Sequence, residues 1–155
     1  MHRNEDAPVT ESPLGEVLDF MRLMWAVDHG LHSASKRMKV SIGVTGPQRL
    51  VVRIVARFPG IPPGRIAELL HLHPSTLTGI VQRLIRQGIL QRQPDPSDGR
   101  RALLSLTAKG RRVDAAVAGT IAATVERVLA RTPRARLAST RRLLGELAEA
   151  LNRLD

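Results

Sequence analysis

The chain contains no cysteine, which removes disulfides, Cys-based zinc sites and thiol redox sensing together. Aromatic residues are scarce too: two phenylalanines, one tryptophan and no tyrosine among 155 residues. RNA and single-strand recognition rely on aromatic platforms for stacked bases, so both are disfavoured. No apolar run approaches membrane length, and the N-terminus is polar and acidic rather than basic then apolar. A soluble, cytoplasmic protein of one domain, or of two small connected ones, is expected. The sequence also lacks a glycine-rich phosphate loop and any pairing of carboxylates placed for acid–base work. No catalytic residue, no cofactor and no membrane contact are therefore expected.

Positive charge is abundant. Lysine and arginine number 24 against 14 acidic residues, a formal net charge of +10. The excess is uneven. Residues 1–20 carry one basic and five acidic side chains, whereas residues 83–112 carry eight basic and two acidic ones. Such a concentrated basic segment suits a phosphate backbone, although a solvated basic face has the same composition.

That segment holds the most informative stretch of the chain, residues 88–107. It predicts two short strands, 89–92 and 101–106, joined by a tip rich in Pro, Asp and Gly. Asp98-Gly99 suits a tight reversal, and Arg92, Arg100 and Arg101 flank it. On its N-terminal side, Pro62-Pro63 opens a short predicted helix, 62–70, with Ile66, Ala67 and Leu70 inward. Pro74 opens a second, 74–87, with Leu77, Ile80 or Val81, and Leu84 inward. Two short helices joined by a three-residue turn and followed by a basic hairpin make a winged helix-turn-helix. The predicted fold class is mainly α with a small β wing, and residues 43–106 form the winged unit.

The flanks are predicted to be helical. Residues 1–12 read as a disordered tail. Apolar positions recur at helical spacing from Leu14 to about residue 40, where Gly43 breaks the run. Thr45 and Gln48 match a capping box opening a helix to about Arg57. After the wing, Thr107 caps a predicted long helix carrying Val113, Val117, Ile121, Val125 and Val128, which Pro133 interrupts. The last segment carries Leu137, Thr140, Leu144, Leu147, Leu151 and Leu154 at alternating spacings of three and four. Such a seam packs on another helix, either within the chain or across a dimer. Residues 13–42 and 107–155 together exceed what one winged unit can cover, so a two-fold homodimer built by both ends is expected.

The order of elements and the residues Asp95-Pro-Ser-Asp-Gly-Arg-Arg-Ala-Leu-Leu-Ser-Leu-Thr-Ala-Lys-Gly110 resemble the MarR (multiple antibiotic resistance regulator) family. Leu77-Thr-Gly-Ile-Val-Gln-Arg-Leu-Ile-Arg-Gln-Gly-Ile-Leu90 and Pro47-Gln-Arg-Leu-Val-Val52 are similar to its recognition helix and the helix two before it. The resemblance covers residues 14–154 and implies a dimeric regulator that represses nearby genes and releases DNA when a small ligand, often an anionic aromatic, binds. It further implies that Arg100 reaches the minor groove and that Asp98 orients it; Asp98 also reads simply as a good turn residue.

Major-groove reading falls to the face of helix 74–87 opposite its core: Ser75, Thr76, Thr78, Gly79, Gln82 and Arg83, with Arg86 further out. Gln82 and Gly79 depart from the acidic residue and arginine common in the family, so base preferences do not carry over. Free amides at the starts of helices 45–57 and 74–87, with Thr45 and Gln48, are further phosphate candidates. The resemblance also implies an effector cleft between the dimerisation helices and the winged unit. Trp25, His29, His32, Arg49 and Arg53 are its candidate residues, each with core packing or solvated surface as the alternative. The histidines do not complete a metal site. His29 with His32, and His71 with His73, are pairs without further ligands; His71 suits a left-handed turn position and His73 an N-cap. The competing reading of the whole is a non-specific architectural DNA-binding protein, which the basic charge alone would serve.

Overall fold

The computed structural model describes residues 13–154; the tail expected over 1–12 lies outside the described residues. Helix α1 spans Glu16–Ser41, α2 Gly46–Arg57, α3 Pro63–Leu70 and α4 Pro74–Arg86. Strands β1 (Leu90–Pro94) and β2 (Ala102–Leu106) follow, then α5 (Ala108–Ala115), α6 (Ile121–Leu129) and α7 (Arg134–Asn152). The expected class, mainly helical with a two-stranded wing, is what the chain adopts.

Local chemistry sets the helix starts. Thr45 accepts from the Gln48 amide while the Gln48 side chain accepts from the Thr45 amide, a complete capping box, and such caps contribute about 1 kcal/mol. His73 caps α4 by accepting from the Ser75 amide through Nδ1 at 3.2 Å. His71 ends α3 in the left-handed conformation, with φ 51°, as the turn between the two helices requires.

The strands pair antiparallel from Leu90 opposite Leu106 to Pro94 opposite Ala102. The first strand therefore begins one residue later than expected and runs two further. Its last residue is a proline, tolerable where no further ladder amide is needed. The reversal does not depend on a left-handed Gly99, whose φ is not positive. Carboxylates close it instead: Asp95 accepts from the Ser97 amide and hydroxyl at 2.9 and 2.7 Å, and Asp98 accepts from the Arg100 amide at 3.1 Å. A short bridge from Ile61 to Leu104 adds a third edge to the wing, with the Gly60 amide on the Leu104 carbonyl at 2.8 Å.

One core holds these parts together. Val44, Val51, Val52, Val55, Ile66, Leu77, Val81, Leu84, Leu90 and Leu104 are buried in it, and Val113 of α5 joins them. The core thus continues past residue 106, where the winged unit was expected to end. Gly110 explains why α5 fits so closely: a Cβ there would lie 2.2 Å from the Ile89 carbonyl oxygen. Gly110→Ala is expected to cost about 1–3 kcal/mol through forced displacement of backbone, seen as a lower melting temperature. Gly79→Ala, whose Cβ would meet open space within α4, should hold or raise it. Equal melting of the two variants would refute the close approach.

The predicted long helix from Thr107 to Pro133 is two helices. The chain leaves α5 at Ala115, turns through Gly119 at φ 72°, and restarts at Thr120, whose hydroxyl oxygen accepts from the Ala123 amide. In α7 the expected seam is open in part: Leu144 is 55% and Leu151 50% exposed in the single chain, whereas Leu137 and Leu147 are half-buried. Leu14, Val17, Leu18 and Trp25 of the N-terminal segment are exposed as well. Among the described residues no helix is long and apolar enough to cross a membrane.

Candidate nucleic-acid interface

Leu77, Val81 and Leu84 bury one face of α4, which turns Ser75, Thr76, Thr78, Gln82, Arg83 and Arg86 outward. Two of the hydroxyls at its start are already engaged. Ser75 Oγ lies 2.7 Å from His73 Nδ1, and Thr78 Oγ1 donates to the Pro74 carbonyl at 2.9 Å. Both bonds fix the side chains and leave acceptor capacity outward. Gly79 leaves a gap in the middle of this face, with open space beyond it.

The wing joins this face through Arg92. A shallow hollow lined by Gln82, Ile85, Arg86 and Arg92 connects α4 to β1. Arg92 also lines a second, open cleft of about 710 Å³, together with Arg100 and Arg101 of the wing and Pro62, Pro63, Arg65 and Glu68 around α3. Arg65 and Glu68 were not singled out in the sequence, because nothing local to α3 shows that the wing folds back over its start. Glu68 pairs with Arg65 at 2.8 Å, so it offsets one guanidinium of an otherwise cationic cleft. Arg83, Arg86, Arg92 and Arg100 make no ion pair among the described residues. The Ser97 hydroxyl and amide hold the Asp95 carboxyl below its ordinary range, with the Arg101 charge adding to the effect. The Ser97 bonds to the Asp95 carboxylate therefore persist as pH falls to the ordinary carboxylate range, and weaken only below it.

Asp98 performs the turn role: its carboxylate takes the Arg100 amide. Two other expected contacts are reassigned by packing. Gln48 is buried, with its side-chain oxygen taken by the cap of α2, which leaves its side-chain nitrogen as the one group for a further partner; Thr45 beside it is half-buried. Arg49 is only 4% exposed, and its guanidinium donates to the carbonyls of Asp114 and Ala116. Arg53 is exposed and pairs with the Asp114 carboxylate at 3.0 Å. Trp25, 63% exposed, lies with His29 and His32 on the open part of α1, where His32 Nδ1 contacts the Asp28 carbonyl at 3.0 Å. Within one chain, Arg49 and Arg53 meet at Asp114, while the three α1 residues stay apart from both clefts.

A capped helix-turn-helix with a polar outer face, continuous with an arginine-bearing hairpin, defines the winged helix-turn-helix class. A family model described as MarR family matches residues 42–101, from the start of the winged unit to the wing tip. Transcriptional regulator HosA of Escherichia coli is 36% identical over 73 residues, covering 47% of this chain and 54% of HosA. The chain thus matches about half the length of that relative. An HTH-type transcriptional repressor of Mycobacterium tuberculosis is 26% identical over 106 residues, 68% of this chain and 76% of the relative. Among solved structures, the PcaV transcriptional regulator of Streptomyces coelicolor, in complex with its natural ligand, superposes with a TM-score of 0.70 at 27% identity, covering 92% of this chain and 99% of PcaV.

Proposed function

We propose that this chain is a transcriptional regulator that binds double-stranded DNA sequence-specifically as a two-fold homodimer and represses genes near its own. The observation that carries this reading is the position of Arg92, which lines both the hollow against α4 and the cleft beneath the wing. One continuous polar and cationic surface results, which would engage a major groove through α4 and adjacent phosphates or minor groove through Arg100 and Arg101. Gln82 suits adenine and Arg83 guanine, while Ser75, Thr76, Thr78 and Arg86 reach bases or phosphates around them. In a dimer two such surfaces lie roughly 34–36 Å apart, which calls for a near-palindromic operator. The HosA and mycobacterial relatives, named as a regulator and a repressor, support the same reading.

Within this proposal, residues 43–106 with α5 read DNA, and α1, α6 and α7 supply the dimer. Its place is the cytoplasm, on the nucleoid when bound. A small anionic aromatic effector would enter between these parts, with Trp25, His29, His32 and Arg53 as its contacts, and would favour a dimer shape whose recognition helices no longer match the groove spacing. PcaV, solved with its ligand, supports an effector. Arg49 is omitted from the contact set because backbone carbonyls occupy its guanidinium.

The test is fluorescence anisotropy of the purified protein on DNA flanking its own gene, against a scrambled duplex, over a salt series. A preference for the flanking duplex that persists near physiological salt is expected. Equal affinity for both, collapsing together with salt and repeated on duplexes selected from a random pool, would replace this reading with that of an architectural binder.

A further inference from the structure

The break between α5 and α6 leaves carbonyls without helical partners, and a residue from a distant helix takes them. In an uninterrupted helix the Asp114 and Ala116 carbonyls would accept from amides four residues on. The chain has turned away by then, and the Thr120 amide goes to Val117 instead. Arg49, 65 and 67 residues earlier, reaches in and donates Nη2 to both carbonyls, at 3.1 Å to Asp114. One turn along α2, Arg53 takes the Asp114 carboxylate. The other side of the joint is equally fixed. Thr120 is buried and donates to the Val117 carbonyl at 2.8 Å, and Gly46 at the start of α2 leaves just enough room for Ile121, whose Cδ1 would lie 2.7 Å from a Cβ there. The Gly46 amide meanwhile donates to Ser35 Oγ of α1 at 2.8 Å.

Placing a guanidinium here is unfavourable in itself. Burial lowers the Arg49 pKa, the Arg53 charge lowers it further, and Asp114 offsets them in part. Its Nε is buried without a partner. An apolar side chain of similar volume could fill the space without that penalty, and replacing buried ionic groups in this way is often neutral for stability. What an apolar residue cannot do is bind two carbonyls whose separation and direction depend on how the helix breaks.

We infer that Arg49 is a positioning residue, a clasp that fixes the angle between the winged unit and α6–α7 by holding the open end of α5. The inference rests on the proposed function only for its consequence: in a dimer built by α6 and α7, this angle would set the spacing of the two recognition helices. The clasp itself is a property of one chain and is testable without DNA.

Because the chain has no cysteine, two can be introduced for spin labels, at exposed Leu69 in α3 and exposed Glu126 in α6. Labelled chains are diluted into excess unlabelled chain, so that electron–electron resonance reads only the distance within a chain. The otherwise unaltered chain should give one narrow distribution. Arg49→Met should broaden it roughly twofold as the joint samples several angles, with helix content unchanged. Arg49→Lys should lie between, its ammonium lacking the planar fork. An unchanged width in Arg49→Met overturns the clasp; if that variant does not fold, an unchanged width in Arg49→Lys does so. Absence of sequence-selective DNA binding would defeat the functional reading and leave this measurement intact.

Discussion

Replacing Arg92, Arg100 and Arg101 together by glutamine should weaken DNA binding on the order of 100-fold near physiological salt, with no change in folding. Each exposed charge–phosphate contact contributes about 1 kcal/mol, and about 1.4 kcal/mol corresponds to each tenfold in affinity. All three side chains are exposed, none contributes to the core, and the turn they flank is closed by Asp95, Ser97 and Asp98 rather than by the arginines. Melting temperature should therefore stay within a degree or two of the parent, as for surface substitutions generally. The sharper signature is in the salt series. Each phosphate contact removed flattens the log-affinity versus log-salt slope by about 0.9, so three should flatten it by about 2.7. Phosphate contacts carry no sequence, so the scrambled duplex should lose a similar factor. Gln82→Ala should behave oppositely, losing discrimination at one base position and leaving the slope alone. A wing variant with the parent's slope would take the hairpin off the DNA altogether.

What could be read in the sequence was chemistry confined to a few neighbouring residues. The capping box at Thr45 and Gln48, the left-handed His71 and the N-cap His73 each depend on contacts within three residues, and each is present in the fold. The same capping box limits Gln48: its side-chain oxygen is bonded to the Thr45 amide, and only its side-chain nitrogen is left for a ligand. The break at 116–120 was hidden by periodicity, since Val113, Val117, Ile121, Val125 and Val128 continue a helical spacing across it. Gly119-Thr120 was the available signal, a residue pair suited to ending one helix and capping the next.

Arg49 could not be read this way at all. In sequence it is a cation near the start of an amphipathic helix, where an exposed side chain is the ordinary outcome. Its burial follows from carbonyls that become available only because a helix breaks some 65 residues later. Arg65 and Glu68 were missed for a related reason. Their place beside the wing arginines depends on the Ile61–Leu104 bridge, which brings the start of α3 against β2. Contacts made by tertiary closure leave no periodic trace in either segment.

Leu144→Arg should convert the protein to a folded monomer and reduce operator affinity by about 10²–10⁴, the advantage that linking two binding modules confers. Leu144 lies in the α7 seam and is 55% exposed in the single chain, so the substitution removes little from the packed core. Leu147, in the same seam, is half-buried; a charge there would disturb packing within the chain as well as across an interface. At a two-fold contact each copy presents the same surface, so one substitution places two guanidiniums in one apolar interface, where unpaired charge is costly to bury. Apolar exposure on this scale, from Leu144 and Leu151 in α7 to Val17, Leu18 and Trp25 in α1, is more than a lone soluble chain ordinarily leaves uncovered. Sedimentation should show the parent as a dimer and the variant at half its mass, with circular dichroism unchanged. The variant should still bind a single half-site weakly, because α4 and the wing are untouched. A Leu144→Arg protein that sediments as a dimer with the parent's affinity would move the dimer contact off α7.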